Sequence, residues 1–67
     1  MTELTINGRS HSFDQPLNIN ALLLELDLAN QRLAVECNGE IVPRSRFDEL
    51  LLQHGDQLEI VIAVGGG

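Results

Sequence analysis

The chain has 67 residues, and those best suited to chemistry stand at its very end. The last three are glycines, Gly65-Gly66-Gly67, so the terminal carboxylate sits on a segment without side chains. A segment that threads a narrow channel and adopts positive φ cannot carry a Cβ atom, which favours glycine. Such a segment would suit Gly65 and Gly66 as a threading arm and makes the carboxylate of Gly67 a candidate reacting group. The alternative is an ordinary frayed terminus.

The other reactive side chains are one cysteine, Cys37, and two histidines, His11 and His54, far apart in the sequence. A single cysteine forms no internal disulfide, which is typical of a reducing compartment. These residues fall short of the ligands of a structural zinc site or an iron–sulfur cluster. Cys37 shares the parity of Leu33 and Val35, so we expect it to point inward as a small hydrophobe with a raised thiol pKa. We expect both histidines at the surface.

Composition limits the classes of function. Ten acidic residues against four arginines, without any lysine, give a formal net charge of −6, which disfavours nucleic acid and attracts a basic protein partner. No apolar run reaches the ~20 residues of a membrane span, and no basic segment opens the chain as in a signal peptide. We expect one cytoplasmic domain, monomeric when free, too small to hold a deep active site and therefore not itself an enzyme.

Two Asn-Gly pairs place hairpins on either side of one helix. Asn7-Gly8 and Asn38-Gly39 both favour type I′ turns between strands at 4–6 and 9–13 and at 33–37 and 40–42. Between the hairpins, Asn18 is a predicted N-cap for an amphipathic helix of roughly ten residues. Its apolar face follows the i, i+3, i+4, i+7 spacing of Ile19, Leu22, Leu23 and Leu26.

The last third of the chain predicts a short helix and a long strand. Residues 45–52 favour the helix, with Phe47, Leu50 and Leu51 reaching the core, and residues 57–64 form the longest strand pattern. The order ββαββ, helical turn, β predicts an α+β fold of the β-grasp, or ubiquitin-like, type. We expect a mixed sheet of about five strands packed on one helix, with the last strand between the first and third. The predicted domain covers residues 1–64, and 65–67 form a flexible glycine tail.

Three segments and the C-terminus resemble the ThiS family, the sulfur carriers of thiamine (thiazole) biosynthesis. The run Val35-Glu36-Cys37-Asn38-Gly39-Glu40-Ile41-Val42-Pro43-Arg44 resembles the family's V-N-G-E-I-V-P-R segment, with Cys37 where valine is common. Residues 19–26 resemble its V-x-x-L-L-x-x-L helix, and residues 55–60 its G-D-x-V-E-I strand. The Gly66-Gly67 end is similar to that of ThiS, the small subunit of molybdopterin synthase and mature ubiquitin. The likeness covers essentially the whole chain.

This resemblance implies a chemical role and a set of partners. An E1-like, ThiF-type enzyme would adenylate the Gly67 carboxylate with ATP and Mg²⁺, neither of which the carrier binds permanently. Sulfur from a persulfide on a donor such as a cysteine desulfurase would displace AMP and leave a thiocarboxylate. A ThiG-type thiazole synthase would then take the sulfur. Activation is needed because a carboxylate is unreactive at neutral pH until it gains a leaving group.

Four further residues are candidate partner contacts. Val61 and Ala63 share the parity of Glu59 on the last strand, opposite the row expected to cover the helix, so they predict an exposed apolar docking patch. The resemblance to ubiquitin places Val61 and Ala34 in its hydrophobic recognition patch. Arg44, next to Pro43, is the fourth candidate. Scattered surface apolarity and a solvated arginine are the alternatives.

Other functions remain open at this point. A molybdopterin-synthase-type carrier would have the same tail and a different acceptor, so its co-purifying partner would distinguish it. A non-catalytic β-grasp binding module or a ubiquitin-like modifier would not exchange a terminal oxygen for sulfur.

Overall fold

The structure is a computed structural model that describes residues 1–63. Val64, where the predicted domain ends, and the predicted tail Gly65–Gly67 lie outside the described residues. The described elements follow the predicted order. They are β1 (Thr2–Ile6), β2 (Arg9–Phe13), α1 (Ile19–Glu25), β3 (Leu33–Cys37), β4 (Glu40–Val42), a 3₁₀ helix (Arg44–Arg46) and β5 (Gln57–Ile62).

The five strands form one mixed sheet in the order β2-β1-β5-β3-β4. The last strand, β5, lies at the centre, parallel to β1 and antiparallel to β3, and the other neighbours are antiparallel hairpins. This arrangement confirms the predicted β-grasp fold, including the insertion of the last strand between the first and the third.

Both hairpin turns have the geometry that their Asn-Gly pairs predict. Asn7 and Gly8 have φ values of 51° and 82°, and Asn38 and Gly39 have values of 53° and 87°. A type I′ turn requires positive φ at both central residues, and asparagine and glycine tolerate that region best. The turns therefore set the register of both hairpins locally.

Helix α1 begins as predicted but ends earlier. Asn18 caps it, with its Oδ1 accepting the Ala21 N–H at 2.7 Å. At the other end, Asp27 adopts a left-handed φ of 62°, its N–H donates to Leu24 O, and the Leu28 N–H donates to Leu23 O. This pattern is a Schellman closure, in which glycine is the usual left-handed residue. Because aspartate holds that position, the sequence did not reveal the stop, and the predicted length of ten residues was wrong: α1 has seven.

The core lies between α1 and the inner face of the sheet. The predicted helix at 45–52 was wrong: the helical segment is the 3₁₀ helix, and the following residues are irregular. Phe47 is buried as predicted, but Leu51 is half exposed and Leu52 is buried in its place. The backbone N–H of Leu52 donates a hydrogen bond to Leu17 O. Helical spacing does not apply to an irregular segment. The buried set is Leu4, Ile6, Leu17, Ile19, Leu22, Leu23, Val35, Phe47, Leu52, Leu58 and Ile60.

The cap of α1 can be tested by two substitutions that should affect the free energy of unfolding differently. Asn18→Ala removes the cap bond and the Asn18 Nδ2 bond to Asp48 O, so we expect it to lower the free energy of unfolding by about 1 kcal/mol. Asn20→Ala, at an exposed position inside α1, should leave that free energy unchanged or slightly higher because alanine favours helices. Urea unfolding measures both. Equal losses would contradict the capping role.

Candidate functional site

The central strand β5 carries the chain towards the predicted tail and is held from both sides. On the β1 side, the Asn7 N–H donates to Leu58 O at 2.9 Å. On the β3 side, the Asn38 N–H donates to Gln57 O at 2.7 Å, and the Ala63 N–H donates to Arg32 O at 2.8 Å. The last described residue is therefore still tied to the sheet. Gly65, Gly66 and Gly67 lie outside the described residues, and their roles stay predictions.

The two faces of β5 differ as its parity predicts. Leu58 and Ile60 are 2% and 6% exposed against the helix, whereas Val61 is 63% exposed on the outer face. Ile62 has inward parity but is 39% exposed, since it stands at the end of the strand. Ala63 is exposed just beyond it. The expectation that Val61 points away from the core is confirmed.

The outer face also brings together residues that are distant in the sequence. Ala34 on β3 is exposed and lies directly opposite Val61 in the β3–β5 register. Two residues along, Glu36 lies directly opposite Glu59, and Ile41 on β4 lies opposite Glu36 with 73% of its surface exposed. We call this surface the outer patch. It consists of Ala34, Glu36, Ile41, Glu59 and Val61.

The outer patch combines exposed apolar groups with an unfavourable charge pair. Like charges directly opposite each other on neighbouring strands destabilise a sheet. Within residues 1–63 the only ion pair joins Arg46 to Glu49 at 3.9 Å, so no arginine there neutralises Glu36 or Glu59. The sequence showed two separate glutamates and an isolated isoleucine. Their juxtaposition depends on the register of three strands, which no local signal reveals.

Arg44 does not join the outer patch. It begins the 3₁₀ helix and is exposed beside a shallow depression that it shares with Leu23, Leu33 and Phe47. Leu33 belongs to the inward parity of β3, so this depression opens on the helix side of the sheet. Of the four predicted partner contacts, Val61 and Ala34 lie in the outer patch, Ala63 is exposed just beyond the end of β5, and Arg44 lies on the helix side of the sheet. Their roles as partner contacts stay predictions.

Cys37 packs against the core at the end of β3 and is partly buried, as its parity predicts. Its Sγ accepts a long bond of 3.7 Å from Asn38 Nδ2. Burial raises the pKa of the Cys37 thiol, and the nearby carboxylates of Asp56 and Glu40 raise it further. A thiol with a raised pKa carries little thiolate at neutral pH and is a poor nucleophile. The electrostatics favour a structural role.

The histidines take part in local packing and hydrogen bonding. The ring of His11 stacks on Phe13 with 6.4 Å between centroids, and His54 Nδ1 accepts the Glu3 N–H at 3.1 Å.

In the part of the chain that the structure describes, no three His, Cys, Asp or Glu residues converge as metal ligands do. Nor does any helix there combine the length and the hydropathy that crossing a membrane requires.

Comparison with known proteins identifies the family. Residues 2–67 match the model described as the ThiS family. The chain is 37% identical over 65 residues to the sulfur carrier protein ThiS of Bacillus subtilis, covering 96% of this chain and 98% of that protein. It is 43% identical over 65 residues to a thiazole synthase of Paramagnetospirillum magneticum, where 97% of this chain spans only 20% of the relative.

A solved structure agrees with the sequence comparison. The crystal structure of the thiamine biosynthesis protein ThiS from Geobacter metallireducens superposes with a TM-score of 0.84 at 36% identity, covering 98% of this chain and 100% of that one. The likeness extends over the whole β-grasp domain at an identity well above the level where only a fold is shared. This chain therefore belongs to the ThiS family of sulfur carrier proteins.

Proposed function

We propose that this chain is the sulfur carrier for thiazole formation in thiamine biosynthesis, and that it reacts through the carboxylate of Gly67. The observation that carries the proposal is the match to the ThiS family, which includes Gly67. The β-grasp sheet supports it, because the central strand β5 is the last strand before that residue in the sequence. The carrier is a protein co-substrate that works in the cytoplasm. The enzymes that use it supply the catalytic groups, ATP and Mg²⁺.

The proposed reaction activates the carboxylate before sulfur enters. The Gly67 carboxylate attacks the α-phosphate of ATP on an E1-like enzyme, releasing pyrophosphate and forming an acyl adenylate. The outer sulfur of a persulfide, supplied by a cysteine desulfurase, attacks the acyl carbon and expels AMP. A thiol then attacks the donor's own sulfur in the resulting acyl disulfide, which releases the thiocarboxylate. The poorly nucleophilic Cys37 has no part in this sequence.

A thiazole synthase is the proposed sulfur acceptor. The thiazole synthase of Paramagnetospirillum magneticum contains a stretch 43% identical to this chain within one longer polypeptide. Joining two modules in one chain raises the effective concentration of each for the other, which is useful when they meet in every cycle. This supports a thiazole synthase as the protein that receives sulfur from the carrier.

The outer patch is the proposed docking surface for both enzymes. Exposed Val61 and Ile41 offer apolar contact area, and the Glu36–Glu59 pair attracts a lysine or arginine of the partner. A partner cation placed between the carboxylates would relieve their mutual repulsion, which gives the complex an electrostatic gain that the free carrier lacks. The net charge of −6 favours the same class of partner.

The identity of the reacting group can be tested at the tail. Deleting Gly67, or adding one residue after it, should abolish adenylation without loss of the fold, because the described core lies within residues 1–63. The measurements are AMP formation with the activating enzyme and the intact mass of the carrier, which should rise by the difference between sulfur and oxygen only in the parent. Normal AMP formation by either variant would contradict the assignment of the Gly67 carboxylate as the reacting group.

The docking surface can be tested with two neighbouring residues of opposite parity. Val61→Asp should leave the thermal melt close to that of the parent, since Val61 is 63% exposed. It should weaken binding to the activating enzyme and the thiazole synthase by about 100-fold, because the new charge is buried without a partner in the complex. Unchanged affinity for both enzymes would show that the outer patch is ordinary surface.

Ile60→Asp is the matched control. Ile60 is 6% exposed, so an aspartate there would lie in the core, and a domain of this size has little stability to spare. We expect this variant to be unfolded at room temperature by circular dichroism.

The structural role of Cys37 gives a separate test. Cys37→Val should change the free energy of unfolding by less than about 1.5 kcal/mol, since the side chains are close in volume and valine suits a strand. The variant should also acquire the terminal sulfur as the parent does, as intact mass would reveal. A folded Cys37→Val protein that no longer forms the thiocarboxylate would assign Cys37 a chemical role.

A further inference from the structure

The side chain of Asn7 makes two hydrogen bonds to the backbone of one residue of the central strand, Ile60. Its Oδ1 accepts the Ile60 N–H at 2.7 Å, and its Nδ2 donates to Ile60 O at 3.1 Å. Strand β1 ends at Ile6, where the parallel register with β5 pairs Ile6 with Leu58. The side-chain amide of Asn7 therefore occupies the place that a further residue of β1 would take in the ladder.

This contact is the last described tie of β5 on its β1 side. Ile60 stands two residues before Ile62, where β5 ends. On the opposite side, Leu33 pairs with Ile62 and the Ala63 N–H bonds to Arg32 O. The end of the strand is thus held on one side by β3 and on the other by a single side chain.

The residue type at position 7 follows from two requirements together. Its φ of 51° favours asparagine, aspartate or glycine. The paired bonds to Ile60 require one group that donates and one that accepts, and of these three residues only asparagine supplies both. Aspartate would keep the acceptor alone, and glycine would lose both. The hairpin by itself explains only the first requirement.

The second turn provides a comparison within the same chain. Asn38 occupies the equivalent turn position with φ 53°, and its side chain also reaches β5. Its Oδ1 accepts the Gln57 N–H at 2.9 Å, and its Nδ2 donates to Asp56 Oδ1 at 3.0 Å. These bonds hold the start of β5, at the end of the strand away from the tail. The two asparagines share a turn type and differ in which end of β5 they hold.

We propose that Asn7 is a positioning residue that fixes the C-terminal half of β5 and thereby the direction in which the tail leaves the domain. The inference rests on the proposed function, since it matters only if the tail is delivered to an enzyme. When the hold on Ile60 is lost, the end of β5 samples other directions. Only the fraction of carriers in the correct arrangement then binds productively, and the apparent KM for the carrier rises as that fraction falls.

The test compares Asn7→Gly with Asn38→Gly. Both variants keep a residue suited to positive φ. Asn7→Gly loses two side-chain hydrogen bonds, and Asn38→Gly loses two together with the long 3.7 Å bond to Cys37 Sγ, so we expect losses of global stability of similar size. In Asn7→Gly, the Ile60 amide should exchange with deuterium about tenfold faster than in Asn38→Gly, because the Ile60 N–H has lost its acceptor. A tenfold change corresponds to about 1.4 kcal/mol, which is within the range of one hydrogen bond. AMP formation should show a several-fold higher KM for the Asn7→Gly carrier with kcat unchanged. Asn38→Gly should keep the parent KM.

The outcomes separate this inference from the proposed function. Equal KM values for the parent and Asn7→Gly, or equal increases in both variants, would overturn the positioning role. If the parent itself is not adenylated, the proposed function fails, while exchange at Ile60, which needs no enzyme, still tests the hold. Asn7→Asp keeps the turn and one bond, so it serves as a second variant should Asn7→Gly fold poorly. It replaces the bond to Ile60 O by two facing oxygens, so its KM should exceed that of the parent.

Discussion

The fold depends on the insertion of β5 between β1 and β3. This strand pairs with residues about fifty positions earlier in the chain, as in the match of Ile6 with Leu58, so the chain must close a long loop before the sheet is complete. The gain that offsets this entropy is the burial of Leu58 and Ile60 against α1. Without the central strand, two separate hairpins would remain, and an isolated hairpin is marginally stable in water.

The same insertion gives the proposed carrier its two working surfaces. Because side chains alternate along a strand, the residues between the buried ones face outward, and β5 presents Val61 and Glu59 there. The β5 part of the outer patch and the predicted tail therefore follow each other closely in the sequence. A partner that grips the outer patch holds the chain within a few residues of the proposed reacting group.

Stability and recognition make opposing demands on the outer patch. The Glu36–Glu59 pair costs the free domain stability, and exposed Val61 and Ile41 contribute little to its core. A partner that supplies a positive charge and covers the apolar groups would offset both of these costs. Asn7 and Asn38 each have two structural roles, since each residue both shapes a turn and holds one end of β5.

The sequence by itself determined the elements whose causes are local. Positive φ at the Asn-Gly pairs, the Asn18 cap and the alternation along β5 all depend on neighbouring residues, and so the hairpins, the start of α1 and the exposure of Val61 were predictable. The family segments and the glycine end carried the functional hypothesis in the same way. Only the tertiary structure decided features that depend on distant partners.

Three features illustrate what the tertiary structure decided. The choice of Leu52 over Leu51 for the core follows from the hydrogen bond of the Leu52 N–H to Leu17 O, which lies thirty-five residues earlier. The facing of Glu36 and Glu59, and the reach of Asn7 to Ile60, exist only once β5 lies between its neighbours. A sequence pattern specifies which face a side chain takes, but the register between distant strands specifies what it meets there.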